Sequence, residues 1–413
     1  MESKSCFERL SFAEKINYLQ TVAEKAKARW DNPPSSKLTL INFTENATYR
    51  LEVENKTKMI MRVQRLDYTT LDSVKTELSW IAELRRTTNL SLNCPLLSRN
   101  RKYVEVIESP EMNEKRLVVC FKFIEGQSPA DSSDANDDIG GLIRKIDWIP
   151  DTLTIPVFKL AALVQQNLGH SKKSTLQASD RQLYRKVGKI AATLHTRAIE
   201  WKDPDFFERM EWNFDGTFGK NWNNFYGVSY RSRQWLSQKD ISIIDQCVDL
   251  IKKRVEAYGK APDRYGMIHS DLRMANMLKN GDEITVLDFD DCGKGWFMYD
   301  IASVVTFMEH RTDLSEVIKE LIGGYELVRK LSDEDKQEIG TFIMMRRIGM
   351  LQSLISRIGS VIPGSGESQV LTPEVLAFYA KGTAILAKKY LKNFASRPDL
   401  TAIPAKHYRV SQQ

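Results

Sequence analysis

Between His269 and Asn276 the chain reads HSDLRMAN, placing a histidine, a carboxylate and a carboxamide within eight residues. LDFDDCG (287–293) follows, with Asp288, Asp290 and Asp291 close together. Such a grouping is either a polar surface loop or a site for a metal and a phosphate. The intervening NMLKNGDEITVLDFDD reads as a hairpin, with Asn280–Gly281 as its two-residue turn because both residues accept positive φ. Strand alternation then sets Ile284, Val286 and Asp288 on one face and Thr285, Leu287 and Phe289 on the other. That pairing brings Asn276 beside Asp288. A carboxylate and a carboxamide are hard oxygen donors suited to Mg²⁺, which takes one or two protein oxygens and completes its shell with water and phosphates. Asp271, a short loop away, is placed to orient an attacking hydroxyl.

Other elements must hold these groups in place. LDSVKTELSWIAELRRTT is a helix with Val74, Leu78, Ile81 and Leu84 on one face, and Glu77 falls inside that apolar stripe. A carboxylate facing a core needs a cation; Arg62, in the strand MIMRV, is its natural partner. Residues 11–30 form an amphipathic helix stopped near DNPPSS, and residues 47–63 form a hairpin with a polar turn at Asn55. KLTLINF, YVEVIES and KRLVVCFKFIEG supply further strands. Beyond them lies a polar insertion at 127–180 containing one expected helix, TIPVFKLAALVQQNLG, and the chain from DRQLYRKVGKIAATLHTRA onward is mainly helical. The plan is α+β and bilobal: residues 1–121 form a sheet-rich lobe with a leading helix, 122–127 a hinge, and 128–413 a mainly helical lobe.

With these motifs assembled, H-x-D-x-x-x-x-N followed by a strand and D-F resembles the catalytic and metal loops of protein kinases. The details are more similar to the aminoglycoside phosphotransferase and choline kinase-like superfamily, with its H-G-D-x-H-x-x-N and I-D-F-x-D patterns. Within it the chain looks closest to the group of type II homoserine kinases and stress-response kinases. VLDFDDCGKGWFMYDIA, NFTENATYRLEV, MIMRVQR and ELSWIAELRR extend the likeness over most of the chain. The resemblance implies a protein-kinase-like fold and transfer of the γ-phosphoryl of ATP with Mg²⁺. It casts Asp271 as base or hydroxyl-positioning residue, Asn276 and Asp288 as metal ligands, and Arg62–Glu77 as the pair that holds the ATP phosphates. Arg62 departs from the usual lysine; a guanidinium still binds phosphate, and bidentately. The hinge FKFIEG is implied to offer backbone groups of Lys122 and Ile124, around Phe123, to the adenine edge. NFTENATYRL has no glycine-rich loop.

The remaining candidates surround that core. Arg273, aimed inward, could offset charge on the transferring phosphoryl; the other reading is a solvated loop arginine. His269 braces the loop. Asp290 could meet the metal or the substrate, although three crowded carboxylates would repel one another. Asp300 reads as the N-cap of the helix IASVVTFMEH, and His195 as a satisfied core histidine. Residues 201–235 hold eleven aromatics, Trp212, Phe214, Trp222 and Tyr226 among them, mostly read as packing, with Trp212 and Asp215 as candidates for a substrate pocket. Arg346 and Arg347 interrupt an apolar helix and could either meet an anionic substrate or snorkel to water.

A net charge of +6 spread over 413 residues, without basic blocks, gives nucleic-acid binding little support. No apolar run is long enough to span a membrane, no signal peptide is evident, and five scattered cysteines fit a reducing cytoplasm. The expected activity is ATP–Mg²⁺-dependent phosphorylation of a hydroxyl on a small metabolite of amino acid, amino alcohol or sugar type. Protein serine/threonine kinase and catalytically inactive nucleotide-binding pseudokinase are the alternatives. Neither the acceptor nor the oligomeric state is written in these residues.

Overall fold

The computed structural model describes residues 7–43, 46–54, 56–65, 69–129, 176–219, 228–358, 361–362, 369–370 and 373–394. The helix expected at 154–169 lies outside them. Helix α1 (Phe12–Lys27) begins with a reciprocal cap: Ser11 accepts from the Glu14 N–H, and the Glu14 carboxylate accepts from the Ser11 N–H. After it come β1 (Lys37–Phe43), β2 (Ala47–Val53) and β3 (Lys56–Val63), then α2 (Leu71–Thr87) and β4 (Ser91–Leu92). With β5 (Val104–Ser109) and β6 (Glu114–Lys122), the first three strands build an antiparallel five-stranded sheet of order β1-β2-β3-β6-β5.

Strand alternation divides this sheet between two tasks. Met59, Met61 and Val63 turn to one face and pack with Leu19, Val22 and Ala23 of α1. Arg62 and Gln64 are buried on the opposite side of the same strand. Facing Arg62 is α2, started by Thr70, whose hydroxyl accepts from the Ser73 N–H at 3.0 Å. Its Val74, Leu78, Ile81 and Leu84 are buried in a core continuous with the helical region. Each such side chain contributes about 1.5–3 kcal/mol through burial, which anchors α2 and fixes where Glu77 points.

The second region comprises α3 (Ala178–Glu200), β7 (Glu211–Trp212), α4 (Phe214–Phe218), α5 (Gln238–Tyr258) and β8 (Tyr265–Ile268). It continues through β9 (Met277–Asn280), β10 (Glu283–Val286), β11 (Gly293–Trp296), α6 (Phe297–Val304), α7 (Leu314–Tyr325), α8 (Asp333–Ser356) and α9 (Pro373–Phe394). Two small sheets, β4-β10-β9 and β7-β11-β8, lie among these helices. β4 falls within the first 121 residues but runs parallel to β10, so the front of the chain also supports the opening motif. Helices α3 and α7 touch backbone to backbone: a Cβ on Gly188 would lie 2.0 Å from the Leu321 carbonyl oxygen, and one on Gly324 1.9 Å from that of Arg185. No helix among the described residues is long and apolar enough to cross a membrane, and the four described cysteines are free thiols.

The hairpin differs in detail from its sequence reading. Asn280 pairs with Glu283, so the two-residue turn is Gly281–Asp282 and only Gly281 takes a positive φ, +57°. Glycine at the first central position is the type II′ solution. β10 ends at Val286, and Asp288 sits in the left-handed region at φ 58°. The strand alternation therefore stops short of the aspartate it was expected to orient.

Candidate active site

Asp271 lies in the loop between β8 and a short 3₁₀ turn, Met274–Asn276. Ser270, its predecessor, has φ 68°, a left-handed conformation costly for a side chain with a Cβ. Hydrogen bonds to a buried carboxylate offset that cost. Asp300 accepts from the His269 N–H at 2.9 Å and the Ser270 N–H at 2.6 Å, and its Oδ2 lies 3.1 Å from His195 Nε2. Asp300 is thus inside α6 rather than its N-cap, a position held by Trp296. Its work is to hold the loop that carries Asp271. His195 is a core residue, linked through Nδ1 to the Tyr325 hydroxyl at 3.0 Å. His269 braces the loop through Nε2, 2.9 Å from the Leu287 carbonyl oxygen.

Three side chains converge on the Asp271 carboxylate, one of them also on its carbonyl. Asn276 Nδ2 reaches Oδ2 at 2.7 Å and the Asp271 carbonyl at 2.9 Å; Arg273 Nε lies 2.9 Å from Oδ1; Arg346 Nη2 also contacts Oδ1. Burial alone would raise this carboxyl, but Arg273 and Arg346, aided by His269 and Asn276, hold it well below the usual carboxylate range. Asp271 therefore stays ionised. Arg346 does not snorkel: it is 3% exposed, contacts Thr306 Oγ1 and lies over the Tyr299 ring. Arg347 is also inside, 2.9 Å from Glu309 and stacked on Tyr379. The break in the apolar run of α8 was the available signal; its partner 75 residues earlier was not.

Across the hairpin, the Leu287 N–H donates to the Asn276 carbonyl at 2.8 Å, which keeps Asn276 and the Asp288 segment adjacent. Asn276 engages Asp271 through its nitrogen, so its side-chain oxygen is the atom it can offer a cation. Withdrawal from water, then the like charges of Asp290 and Asp291, push the Asp288 carboxyl well up against the pull of Arg62. Since this side chain is 46% exposed, crowding is the stronger physical cause. A cation would relieve it. Among the described residues no three acidic, histidine or cysteine side chains close a complete metal cage. A donor set of one or two oxygens suits Mg²⁺, which leaves the remaining positions to water and phosphate.

Arg62 joins this region to the sheet. Its Nη2 lies 2.7 Å from both Glu77 oxygens, and its Nη1 3.5 Å from Asp288 Oδ1. With its amide oriented to satisfy the network, Gln64 accepts from Arg62 and donates to Asn46 at 3.0 Å. Asn46, at the start of β2, donates to Asp290 Oδ2 at 2.7 Å. Asp290 therefore joins the metal loop to the β1–β2 connection.

Two expected positions are corrected. Trp212 is 1% exposed, donates to the Asp291 carbonyl at 2.7 Å and stacks on Tyr299, so it braces the metal loop rather than walling a pocket. The backbone N–H of Lys122 donates to Cys94 at 2.8 Å, so it is not offered to a nucleotide. Phe123 follows with a long bond to Lys58, and the Ile124 main chain has no hydrogen-bond partner among the described residues. Asp215 is exposed in the first turn of α4. Trp222 and Tyr226 lie outside the described residues. Arg209 went unnoticed in the sequence; it reaches the Asp290 and Cys292 carbonyls and Ser73, tying the metal loop to α2.

Residues 38–335 match the Phosphotransferase enzyme family. The chain belongs to that family. Homoserine kinase of Neisseria meningitidis is 34% identical over 127 residues, 30% of this chain and 39% of that enzyme. Amicoumacin kinase of Bacillus subtilis is 26% identical over 122 residues, 29% of this chain and 32% of that enzyme. The matched stretch thus spans under two fifths of either curated relative. A solved microcompartment-associated aminopropanol kinase is similar over 91% of this chain and 98% of its own, at 26% identity and TM-score 0.69.

Proposed function

We propose that this phosphotransferase uses Mg²⁺ and ATP to phosphorylate a hydroxyl of a small metabolite bearing an amino group. One observation carries the reading: Glu77 fixes Arg62 beside Asp288, and the Leu287 N–H bond to the Asn276 carbonyl keeps that aspartate's segment next to Asn276, which in turn holds Asp271. A phosphoryl transfer needs those parts and little more, because its catalysis is mainly positioning and charge neutralisation. Aminopropanol and homoserine, for which two of the similar enzymes are named, are both small amine-bearing alcohols.

Arg62, held by Glu77, binds phosphate oxygens of the nucleotide, and the main chain of Ile124, without a hydrogen-bond partner among the described residues, faces its base. Asn276 and Asp288 would hold Mg²⁺, which when bound would neutralise phosphate charge. Asp271 accepts a hydrogen bond from the acceptor hydroxyl and aims its oxygen at the γ-phosphorus. As the new P–O bond forms, the bond to the β,γ-bridging oxygen breaks, ADP leaves with that electron pair, and the hydroxyl proton departs by way of Asp271. Its lowered basicity suits a loose transition state in which the acceptor needs orientation more than early deprotonation.

The test is ADP release from hydroxy amino acids, amino alcohols, sugars and a generic protein substrate, with Mg²⁺ and with chelator. Metal-dependent turnover of an amine-bearing small alcohol is expected. Turnover on protein alone would make it a protein kinase. Nucleotide binding without ADP release from any acceptor would make it a nucleotide-binding pseudokinase.

A further inference from the structure

The acceptor side of Asp271 carries a charge pattern that the transfer reaction does not require. Arg273 and Arg346 both bond one carboxylate, so the group comprises two cations and one anion. Arg346 approaches from α8 and is buried, its guanidinium fixed by Asp271, Thr306 and Tyr299. Arg273 is different. Its side chain is 30% exposed, it spends only Nε on Asp271, and it lies over the Phe307 ring at 5.9 Å. Its two terminal nitrogens have no hydrogen-bond partner among the described residues. A guanidinium anchored by one edge presents the other as a planar fork that matches a carboxylate or a phosphate.

We propose that the acceptor carries a carboxylate beside the hydroxyl it offers, and that Arg273, backed by Arg346, reads it. The substrate class is then a small hydroxy amino acid rather than the corresponding amino alcohol. This rests on the phosphotransferase reading above and narrows its acceptor. The geometry is self-consistent: Asp271 takes the hydroxyl while the arginine beside it takes an anion a few bonds away on the same molecule. Asp271 alone would repel that carboxylate, and the flanking cations remove the repulsion. An ammonium in the same position would meet Arg273 instead. The acidic groups at 288–291 stand on the metal side of the hairpin, where Arg62, Asn46 and the proposed cation engage them.

Matched acceptors isolate the carboxylate. Threonine differs from 1-amino-2-propanol, and homoserine from 3-amino-1-propanol, by that group alone. Measured as kcat/KM for ADP release, each amino acid is expected to exceed its amino alcohol by on the order of 10–100-fold, the worth of a charged bidentate contact. In Arg273→Met the ratio should fall towards one; in Arg273→Lys, which keeps charge without the fork, it should lie between. Circular dichroism and melting temperature report whether each variant folds, and the wild-type ratio decides if one does not. Amino alcohols preferred by the wild type, or turnover confined to sugars, would overturn the proposal while leaving the phosphotransferase reading intact. An equal fall for both members of a pair in Arg273→Met would also overturn it, assigning Arg273 to the transferring phosphoryl or to Asp271. No ADP release with any acceptor would overturn the phosphotransferase reading, and this proposal with it.

Discussion

Asp271 and Asp288 flank one hairpin, yet their surroundings are opposite in kind. Asp271 is ringed by Arg273, Arg346 and Asn276, which hold its carboxyl low. Asp288 shares its loop with Asp290 and Asp291, whose charges outweigh the Arg62 guanidinium 3.5 Å away and leave its carboxyl high. The first carboxylate is ionised and oriented before any ligand arrives. The second is crowded by like charge that a cation would relieve. A phosphoryl-transfer site gains from both arrangements: the acceptor side must be preorganised, whereas the metal side should favour the metal-bound state over the metal-free one.

The largest expected effect follows from breaking the preorganised side. Asp271→Asn keeps the shape but removes the charge that fixes two arginines and the acceptor hydroxyl. Turnover should fall on the order of 10²–10⁴-fold, while ATP affinity by calorimetry stays close to wild type. Full turnover in Asp271→Asn, together with its loss in a folded His269→Ala variant, would transfer the base to His269 and end the contrast.

The Arg62–Glu77 pair tests how far the nucleotide side depends on burial. Glu77 is 1% exposed, so Arg62→Ala strands a carboxylate in an apolar setting. The expected loss is about 3–5 kcal/mol of stability, together with weaker ATP binding. Adding Glu77→Gln should recover part of the melting temperature without recovering activity. If the double variant melts no higher than Arg62→Ala, the cost does not come from an unpaired charge.

Glu77 was legible in the sequence because periodicity placed a carboxylate in an apolar stripe, and the need for a cation together with the kinase resemblance pointed to Arg62. The hairpins, the leading helix and the five strands of the sheet were legible for the same reason: alternation and helical spacing are local signals. What escaped was carried by distance along the chain or by special backbone. Arg346 meets Asp271 across 75 residues, and no local pattern names such a partner. Asp300 looked like a cap because its neighbours resemble a helix start, but its carboxylate serves two N–H groups 30 and 31 residues earlier. Trp212 was read as pocket wall because aromatic density cannot separate packing from binding. Asp288 broke the strand alternation because its φ is positive, a conformation the residue type permits but does not announce.

The smallest effect concerns the metal side and has a definite sign. An unfolded aspartate titrates near 3.9; in the folded chain burial and the like charges beside it raise Asp288 above that. Its contribution to stability is therefore fully present below about pH 3.9 and lost as pH rises through the folded value. Asp271 has the opposite sign, its contribution being lost as pH falls below the unfolded value. Without metal, the melting temperature of Asp288→Asn should thus gain on wild type as pH rises from about 4 towards neutrality. The difference should be modest because the side chain is partly solvated and solvent screens it. Adding Mg²⁺ with a non-hydrolysable ATP analogue should reverse the order, since wild type keeps the charge that holds the ion. Thermal melts of both proteins across that range, with and without the ion, read this directly. If the two curves run parallel at every pH and Mg²⁺ concentration, Asp288 neither suffers the crowding nor holds the cation, and the opposition between the two carboxylates collapses.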